Sequence, residues 1–238
     1  KGARHCGRIR CCMVSVFDTR PCSLGEGPLW HPLRGELFWF DINAHQLLSK
    51  TNMWQFDEFV SAAGWISQDE LLIASESQLF HFHLSDHSQS KICDLEADNP
   101  VTRSNDGRCD PQGGFWIGTM GKKAEAKAGA IYRYYRGDLV QLFPEITIPN
   151  AICFAPDGQT AYFTDTPLRQ ILAVDLDADG WPCSAPRVAV DLTGTADNPD
   201  GAVVDAQGNI WNAQWGAARL ACYSPKGVLL QTLEIGAA

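Results

Sequence analysis

A turn followed by a short apolar core recurs five times along the chain, and this repeat limits the possible folds more than any other feature. The cores lie at residues 37–39, 71–73, 115–117, 161–163 and 209–211. The best-defined turn is Asp-Pro-Gln-Gly at 110–113, where Asp bonds its own backbone, Pro presets φ and Gly accepts a positive φ. Another apolar run precedes each turn, so every repeat contains a hairpin.

Two further strands follow most of these hairpins. Alternating segments such as residues 79–84 and 130–134 come next, and then outer runs such as 139–142 and 228–233. Four strands in about 45 residues is typical of a β-propeller blade. No linker divides the chain, so the sequence predicts a single all-β propeller domain over residues 1–238, with 1–12 a disordered or artificially added N-terminal segment. Residues 122–127 have helix-like composition but are expected to form a loop.

The number of repeats raises the question of ring closure. Propellers close by joining their N- and C-terminal strands in one blade, and residues 13–17 look like an outer strand of a blade whose inner strands are missing. We therefore expect a C-terminal part of roughly one blade to be absent from the sequence.

Composition narrows the functional classes. The net charge of −9 disfavours a nucleic-acid partner. No apolar run of about 18 residues is present, so no membrane partner is expected. The nine cysteines are odd in number and form no C-x-x-C pair. Cys153 and Cys222 fall in apolar runs and are predicted to be small core residues. We expect a cytoplasmic protein with reduced thiols, monomeric or weakly homo-oligomeric.

A polar residue stands five positions before the turn in four of the five repeats. These residues are Glu26, Asn105, Asn150 and Asp200, and Ala62 takes the fifth position. In a radial repeat, equivalent positions form a ring, so the four side chains should converge at one mouth of the central channel. Carboxylate and carboxamide oxygens suit a divalent cation. Turn formation alone could explain the Asx residues, but Glu26 is a poor turn former.

Six motifs together resemble the SMP-30/gluconolactonase/regucalcin family. They are LGEGPLW at 24–30, FDI at 40–42, RSNDG at 103–107, FWIGTM at 115–120, IPNA at 148–151 and NPDG at 198–201. The resemblance runs from about residue 14 to 235. It implies a six-bladed propeller with one divalent metal ion at the top of the channel, Ca²⁺ or Zn²⁺ being favoured and Mg²⁺ or Mn²⁺ being alternatives.

The resemblance also implies roles for individual residues. The metal ligands would be Glu26, Asn150 and Asp200, and the substrate would contact Arg103 and Asn105. The implied reaction is hydrolysis of a sugar-acid lactone, so a small-molecule sugar lactone is the expected partner.

The chemistry of the side chains agrees with such a reaction. Asp200 could also act as general base on the attacking water, and Arg103 offers several donors to substrate oxygens. Asp106 and Lys122 are further candidates for the site. Asp41 and Asp165, which end the first and fourth cores, are expected to bond backbone groups.

Two other functions stay open at this point. One is a non-catalytic propeller that binds Ca²⁺ or a protein partner. The other is a metal-dependent esterase acting on organophosphate or aryl esters. The sequence contains no G-x-S-x-G elbow and no nucleotide-binding glycine motif, so a serine hydrolase or a nucleotide cofactor is not indicated.

Overall fold

Residues 14–236 are described by a computed structural model, and this part of the chain is all-β apart from one short 3-10 helix (Thr166–Leu168). Twenty strands form five antiparallel sheets, each built from four consecutive strands. The predicted β-propeller is therefore confirmed. No helix within residues 14–236 is long and apolar enough to cross a membrane.

The strands of each sheet follow one another in chain order. The first sheet contains β1 (Gly25–His31), β2 (Glu36–Asp41), β3 (Gln46–Ser49) and β4 (Met53–Gln55). The second contains β5 (Val60–Trp65), β6 (Glu70–Ser75), β7 (Gln78–His83) and β8 (Gln89–Asp94). The third contains β9 (Thr102–Cys109), β10 (Phe115–Gly121), β11 (Gly129–Tyr135) and β12 (Asp138–Ile146). The fourth contains β13 (Pro149–Phe154), β14 (Thr160–Asp165), β15 (Gln170–Asp175) and β16 (Arg187–Asp191). The fifth contains β17 (Asn198–Val204), β18 (Ile210–Trp215), β19 (Arg219–Tyr223) and β20 (Leu229–Glu234).

Two of the turns that precede the predicted cores are closed by an Asp side chain, as the sequence indicated for Asp110. In the third sheet, Asp110 accepts the Gly114 backbone N–H at 2.7 Å and the Trp116 indole N–H at 3.2 Å. In the fifth sheet, Asp205 holds the N–H of Asn209 and the indole of Trp211 in the same way, at 2.9 and 3.1 Å. Each such Asp therefore closes the hairpin turn and anchors the second strand, where the apolar core lies.

The hydrophobic core lies between consecutive sheets. The first strands pack side by side, β1 beside β5, β5 beside β9, β9 beside β13 and β13 beside β17, so they are the innermost strands. Phe38 and Phe40 of the first sheet pack in one cluster with Phe80 and Phe82 of the second. Similar clusters join the second to the third, the third to the fourth and the fourth to the fifth sheet. Cys153 of the fourth sheet and Cys222 of the fifth sheet are buried, as predicted.

The predicted number of blades was not found. Residues 14–236 form five blades rather than six, because their twenty strands are all used in five sheets of four. Between the first and the last blade, a cavity of about 700 Å³ is lined by residues of both β1 and β17.

The segment before the first blade also differs from the prediction. Residue 13 lies outside the described residues, and residues 14–17 form no strand. This segment covers the first sheet instead, because the Phe17 ring lies edge-on to Trp39 and the Arg20 guanidinium lies 5.1 Å from the centre of the same indole. Residues 122–127 form a loop, as expected.

Candidate active site

Four inner strands contain an irregularity near the positions where a ring of polar side chains was predicted. In β1, β9, β13 and β17, two residues lie opposite a single residue of the partner strand, which is a β-bulge. The bulged pairs are residues 27–28, 105–106, 151–152 and 200–201. A bulge changes the direction of the side chains beside it, so these strands can point polar groups into the channel.

Glu26 and Asn150 occupy matching places, each just before its bulge. The following residues, Gly27 and Ala151, have left-handed backbones with φ of 57° and 56°. Such a conformation is unusual for alanine, and it recurs at functional sites where the surrounding structure enforces it. Blades 1 and 4 thus present their polar side chains by the same backbone device.

Two aspartates hold the segments that lead into these strands. Asp41 accepts the backbone N–H groups of residues 23 and 24 at 2.7 and 3.0 Å. Asp165 accepts those of residues 147 and 148 at 3.1 and 2.9 Å. The expectation that both aspartates bond backbone is confirmed, and each one positions the start of a strand that carries a site residue.

Asn105 and Asp200 lie one place further along, as the first residue of their bulges. Residues that stand five positions before the turn are therefore not structurally equivalent in all four blades. The reason is that the bulge starts one residue earlier relative to the turn in blades 3 and 5. Counting residues back from the turn cannot detect this shift, because the position of a bulge within the strand is not visible in the pattern of polar and apolar residues.

A cavity of about 190 Å³ brings five of the predicted residues together. It is lined by Glu26, Arg103, Asn105, Asn150 and Asp200. Its other wall residues are Leu24, Met120, Ile148, Thr166 and Trp215. Glu26 and Asp200 also line the larger cavity between β17 and β1, so the two cavities meet at these carboxylates.

The acidic side chains of this region have pKa values above their ordinary ones. Loss of solvation, followed by repulsion from Asp200 and Asp106, raises the pKa of Glu26 to about 8. Loss of solvation and then Asp106 raise the pKa of Asp200 to about 6. Loss of solvation also raises the pKa of Asp106 and lowers that of Arg103. Three carboxylates thus share the region with one guanidinium that lies close enough to favour the charged form of Glu26.

Hydrogen bonds orient the polar wall of the smaller cavity. Arg103 donates from Nη1 to Asn105 Oδ1 at 2.9 Å and to the Ser104 carbonyl at 2.7 Å. Asn105 Nδ2 donates to Asn150 Oδ1 at 3.1 Å and to the Pro149 carbonyl at 2.9 Å. The other N–H groups of Arg103 make no hydrogen bond to residues 14–236, so they are available to a substrate.

Asp106 and Lys122 lie apart from this cavity. Asp106 accepts the Ile152 backbone N–H at 2.8 Å and lines the larger cavity together with Arg108. Lys122 forms an ion pair with Glu76 and donates to the Pro100 carbonyl at 3.0 Å. Lys122 lines neither cavity. The structure therefore brings Asp106 to the edge of the site and keeps Lys122 away from it.

Sequence reasoning missed several wall residues, of which Thr166 and Trp215 are the most notable. Thr166 directly follows β14 and Trp215 is the last residue of β18, and these are the second strands of their blades. In an antiparallel hairpin, the end of the second strand lies beside the start of the first, and Pro149 is paired with Asp165 accordingly. This adjacency was a usable signal, because the residues next to Asp165 must lie close to Asn150.

The donor set fits a divalent cation. Glu26 and Asp200 are carboxylates whose pKa values are raised by loss of solvation first and by neighbouring carboxylates second, and Asn150 adds a neutral oxygen. Hard oxygen ligands of this kind suit Ca²⁺ or Mg²⁺. Within residues 14–236 no three His, Cys, Asp or Glu side chains cluster at metal-binding distances. The predicted set contains two carboxylates, and its third member is a carboxamide.

Fold and site together define a β-propeller whose inner strands form a cavity that contains two carboxylates, two carboxamides and one guanidinium. The sequence profile described as "SMP-30/Gluconolactonase/LRE-like region" matches residues 24–238. The chain therefore belongs to this family.

Individual relatives agree with this assignment. The chain is 35% identical to L-arabinolactonase of Azospirillum brasilense over 225 residues, which cover 90% of this chain and 74% of that one. It is 30% identical to 6-deoxy-6-sulfogluconolactonase of Pseudomonas putida, covering 91% and 77%. A crystal structure of regucalcin from Agrobacterium tumefaciens, described as a calcium-binding protein, superposes with a TM-score of 0.89 at 40% identity, covering 92% of this chain and 76% of that one.

Proposed function

We propose that the protein hydrolyses the ester ring of a sugar-acid lactone with the help of a divalent cation held by Glu26, Asn150 and Asp200. The observation that carries this proposal is the meeting of these three oxygen ligands with Arg103 and Asn105 in one cavity of about 190 Å³. Two relatives bear the names of sugar lactonases, which supports the same reaction.

The residues divide the chemistry among them. A cation bound at this set supplies the Lewis acidity that polarises the ester carbonyl. Asp200 takes the proton of the attacking water. Arg103 directs its free N–H groups at the substrate oxygens and stabilises negative charge that develops on them. Both N–H groups of the Asn105 amide are engaged, so Asn105 meets a substrate hydroxyl through the remaining lone pair of Oδ1.

The cation is proposed to be Ca²⁺ or Zn²⁺, with Mg²⁺ and Mn²⁺ as alternatives. All four accept carboxylate and carboxamide oxygens. The donors of this site contain no nitrogen or sulfur ligand, which favours the harder ions over Zn²⁺. An activity series with each cation added to chelator-treated protein will rank them.

The reaction is tested by following acid release from a panel of pentono- and hexonolactones. We expect hydrolysis above the uncatalysed rate, its loss with EDTA and its return with added cation. Asp200→Asn should lower kcat about a hundredfold or more, since a positioned general base contributes on the order of 10²–10⁴. Arg103→Lys should lower kcat/KM by about a hundredfold, because a lysine cannot reproduce the fork of donors. Asp191→Asn, on the exposed outer strand β16, is the matched control.

Three outcomes would change the proposal. Full turnover in EDTA would refute cation dependence. Cation binding without turnover of any lactone would favour the non-catalytic, Ca²⁺-binding alternative. Turnover of aryl esters or organophosphates but not of lactones would favour the esterase alternative.

The complete ring is proposed to contain six blades, with a sixth four-stranded sheet filling the cavity between β17 and β1. The walls of that cavity are largely apolar, including Leu37, Trp39, Trp211 and Leu220, as expected of surfaces that pack against another sheet. An experimental structure of the protein isolated from its natural host is the test, and a second copy seated in the cavity would refute it. Cytoplasmic location and oligomeric state stay predictions.

A further inference from the structure

Thr166 links two of the strands that carry the site. It is the first residue of the short 3-10 helix that follows β14, and it is 4% exposed. Its hydroxyl accepts a hydrogen bond from Asn150 Nδ2 at 3.0 Å and donates one to the Pro199 carbonyl at 2.8 Å. Asn150 belongs to β13, whereas Pro199 belongs to β17 and directly precedes Asp200. One hydroxyl therefore touches the strands of two proposed cation ligands.

The direction of these hydrogen bonds determines how the Asn150 amide is turned. The Thr166 hydroxyl has a single proton, and that proton goes to the Pro199 carbonyl, so Thr166 can only accept from Asn150. Asn150 must then present its NH₂ group to Thr166 and its Oδ1 to the opposite side. Asn105, whose Nδ2 donates to Asn150 Oδ1, requires the same orientation from the other end.

Burial makes this arrangement sensitive to the loss of the hydroxyl. Asn150 is 6% exposed, and Thr166, with which it shares the wall of the smaller cavity, is similarly buried. Without the hydroxyl, the Asn150 NH₂ group and the Pro199 carbonyl would both lose a partner in a buried place. A buried polar group without a partner is costly, and the contact with Asn105 would remain the one hydrogen bond within residues 14–236 that orients the amide.

We propose that Thr166 is a positioning residue that holds Asn150 Oδ1 toward the cation. Through its bond to the Pro199 carbonyl, it also fixes the strand that carries Asp200. The proposal rests on the proposed function in that it assumes a cation bound by Asn150 and Asp200. It adds a residue outside the ligand set, with a stated atom and a stated direction for each hydrogen bond. Groups that orient metal ligands in this way typically affect metal affinity about ten- to hundredfold.

The test compares Thr166→Val with Thr166→Ser and with Thr164→Val. Valine keeps the shape of threonine and has a methyl group in place of the hydroxyl, and serine keeps the hydroxyl. Thr164 is a matched control, because it is buried on the neighbouring β14 and its hydroxyl donates to the Gln170 carbonyl, away from Asn150. The probe is Mn²⁺, titrated into chelator-treated protein and followed by electron paramagnetic resonance.

We expect Thr166→Val to weaken Mn²⁺ binding about tenfold or more, with Thr166→Ser and Thr164→Val close to wild type. Equal affinity of Thr166→Val and wild type would overturn the proposal, as would equal losses in Thr166→Val and Thr164→Val.

A second measurement needs no cation. The thermal midpoints of Thr166→Val, Asn150→Ala and the double variant in EDTA should be non-additive, because the two residues share one hydrogen bond. Additive midpoints would also overturn the positioning role. If wild type binds no Mn²⁺ and opens no lactone while the midpoints are non-additive, the proposed function fails and the contact itself stands.

Discussion

Replacing Glu26 with Gln should make the cation-free protein more stable at neutral and alkaline pH. Glu26 has a pKa of about 8 in the folded chain, against an ordinary value of 4.5, because of lost solvation and the nearby Asp200 and Asp106. The folded state therefore binds more protons at this side chain than the unfolded state does. The sign follows directly: the contribution of Glu26 to stability is fully present below pH 4.5 and is lost as pH rises through 8.

The size of the effect follows from the same shift. One pKa unit corresponds to about 1.36 kcal/mol, and integration between pH 5 and pH 8 gives a loss of about 3.5 kcal/mol in the free energy of unfolding. For a chain of this length, each kcal/mol moves the thermal midpoint by about 2–4 °C, so the expected change is about 7–14 °C. Gln cannot ionise, and Glu26→Gln therefore removes this loss.

The assay is thermal unfolding in EDTA at several pH values between 5 and 8. We expect the midpoint of Glu26→Gln to exceed that of wild type by an amount that grows with pH. Added Ca²⁺ or Mn²⁺ should raise the midpoint of wild type far more than that of the variant, because a bound ligand stabilises the state that holds it. Glu234→Gln, at an exposed position on β20, is the control. A pH-independent difference between wild type and Glu26→Gln would refute the electrostatic reasoning.

Two further predictions concern the frame around the site. Arg133→Met should lower the free energy of unfolding by about 3–5 kcal/mol in urea titrations, because it leaves the buried Asp110 carboxylate without its partner at 2.7 Å. The control Arg187→Met breaks an exposed ion pair and should lower the free energy of unfolding by about 1 kcal/mol or less. Equal losses in the two variants would contradict this prediction. Gly27→Ala should prevent folding or abolish Mn²⁺ binding, because its Cβ would lie 2.2 Å from a backbone oxygen at a φ of 57°. The control is Gly35→Ala, at a φ of 62° with nothing within 4 Å of the added Cβ, which should lower the free energy of unfolding by only about 1–2 kcal/mol through backbone strain. Normal folding and Mn²⁺ binding by Gly27→Ala would contradict the steric reasoning.

The repeat was predictable because its signals are local. A turn such as that at Asp110 depends on residues within four positions of it, and the indole of Trp116 bonds the same carboxylate. The turn residues of such hairpins therefore indicate where the strands begin and end. The number of blades is a different matter, since it depends on where the ring closes, and closure is a contact between residues far apart along the chain.

Long-range partners also explain why some buried charges were not predicted. Arg133 lies in an alternating strand and carries no sign of burial in its immediate sequence. In the structure its guanidinium lies 4.3 Å from the ring centre of Tyr135 and 4.4 Å from that of Trp181, and it pairs with Asp110. Trp181 belongs to the loop after β15, in another blade. Asp110 and Tyr135 belong to the same blade as Arg133, whereas Trp181 reaches the guanidinium only through the packing of two blades.

The residue types of the site were readable from the sequence, but the reason for a carboxamide at position 150 was not. Asn150 accepts on Oδ1 from Asn105 and donates from Nδ2 to Thr166. A carboxylate could not donate to Thr166. It would also add a negative charge beside Glu26 and Asp200, whose pKa values are already raised. A carboxamide offers an oxygen to a cation, satisfies both neighbours and leaves the charge unchanged. The choice between Asn and Asp therefore depends on partners in β9 and in the 3-10 helix, and a spacing pattern contains no information about them.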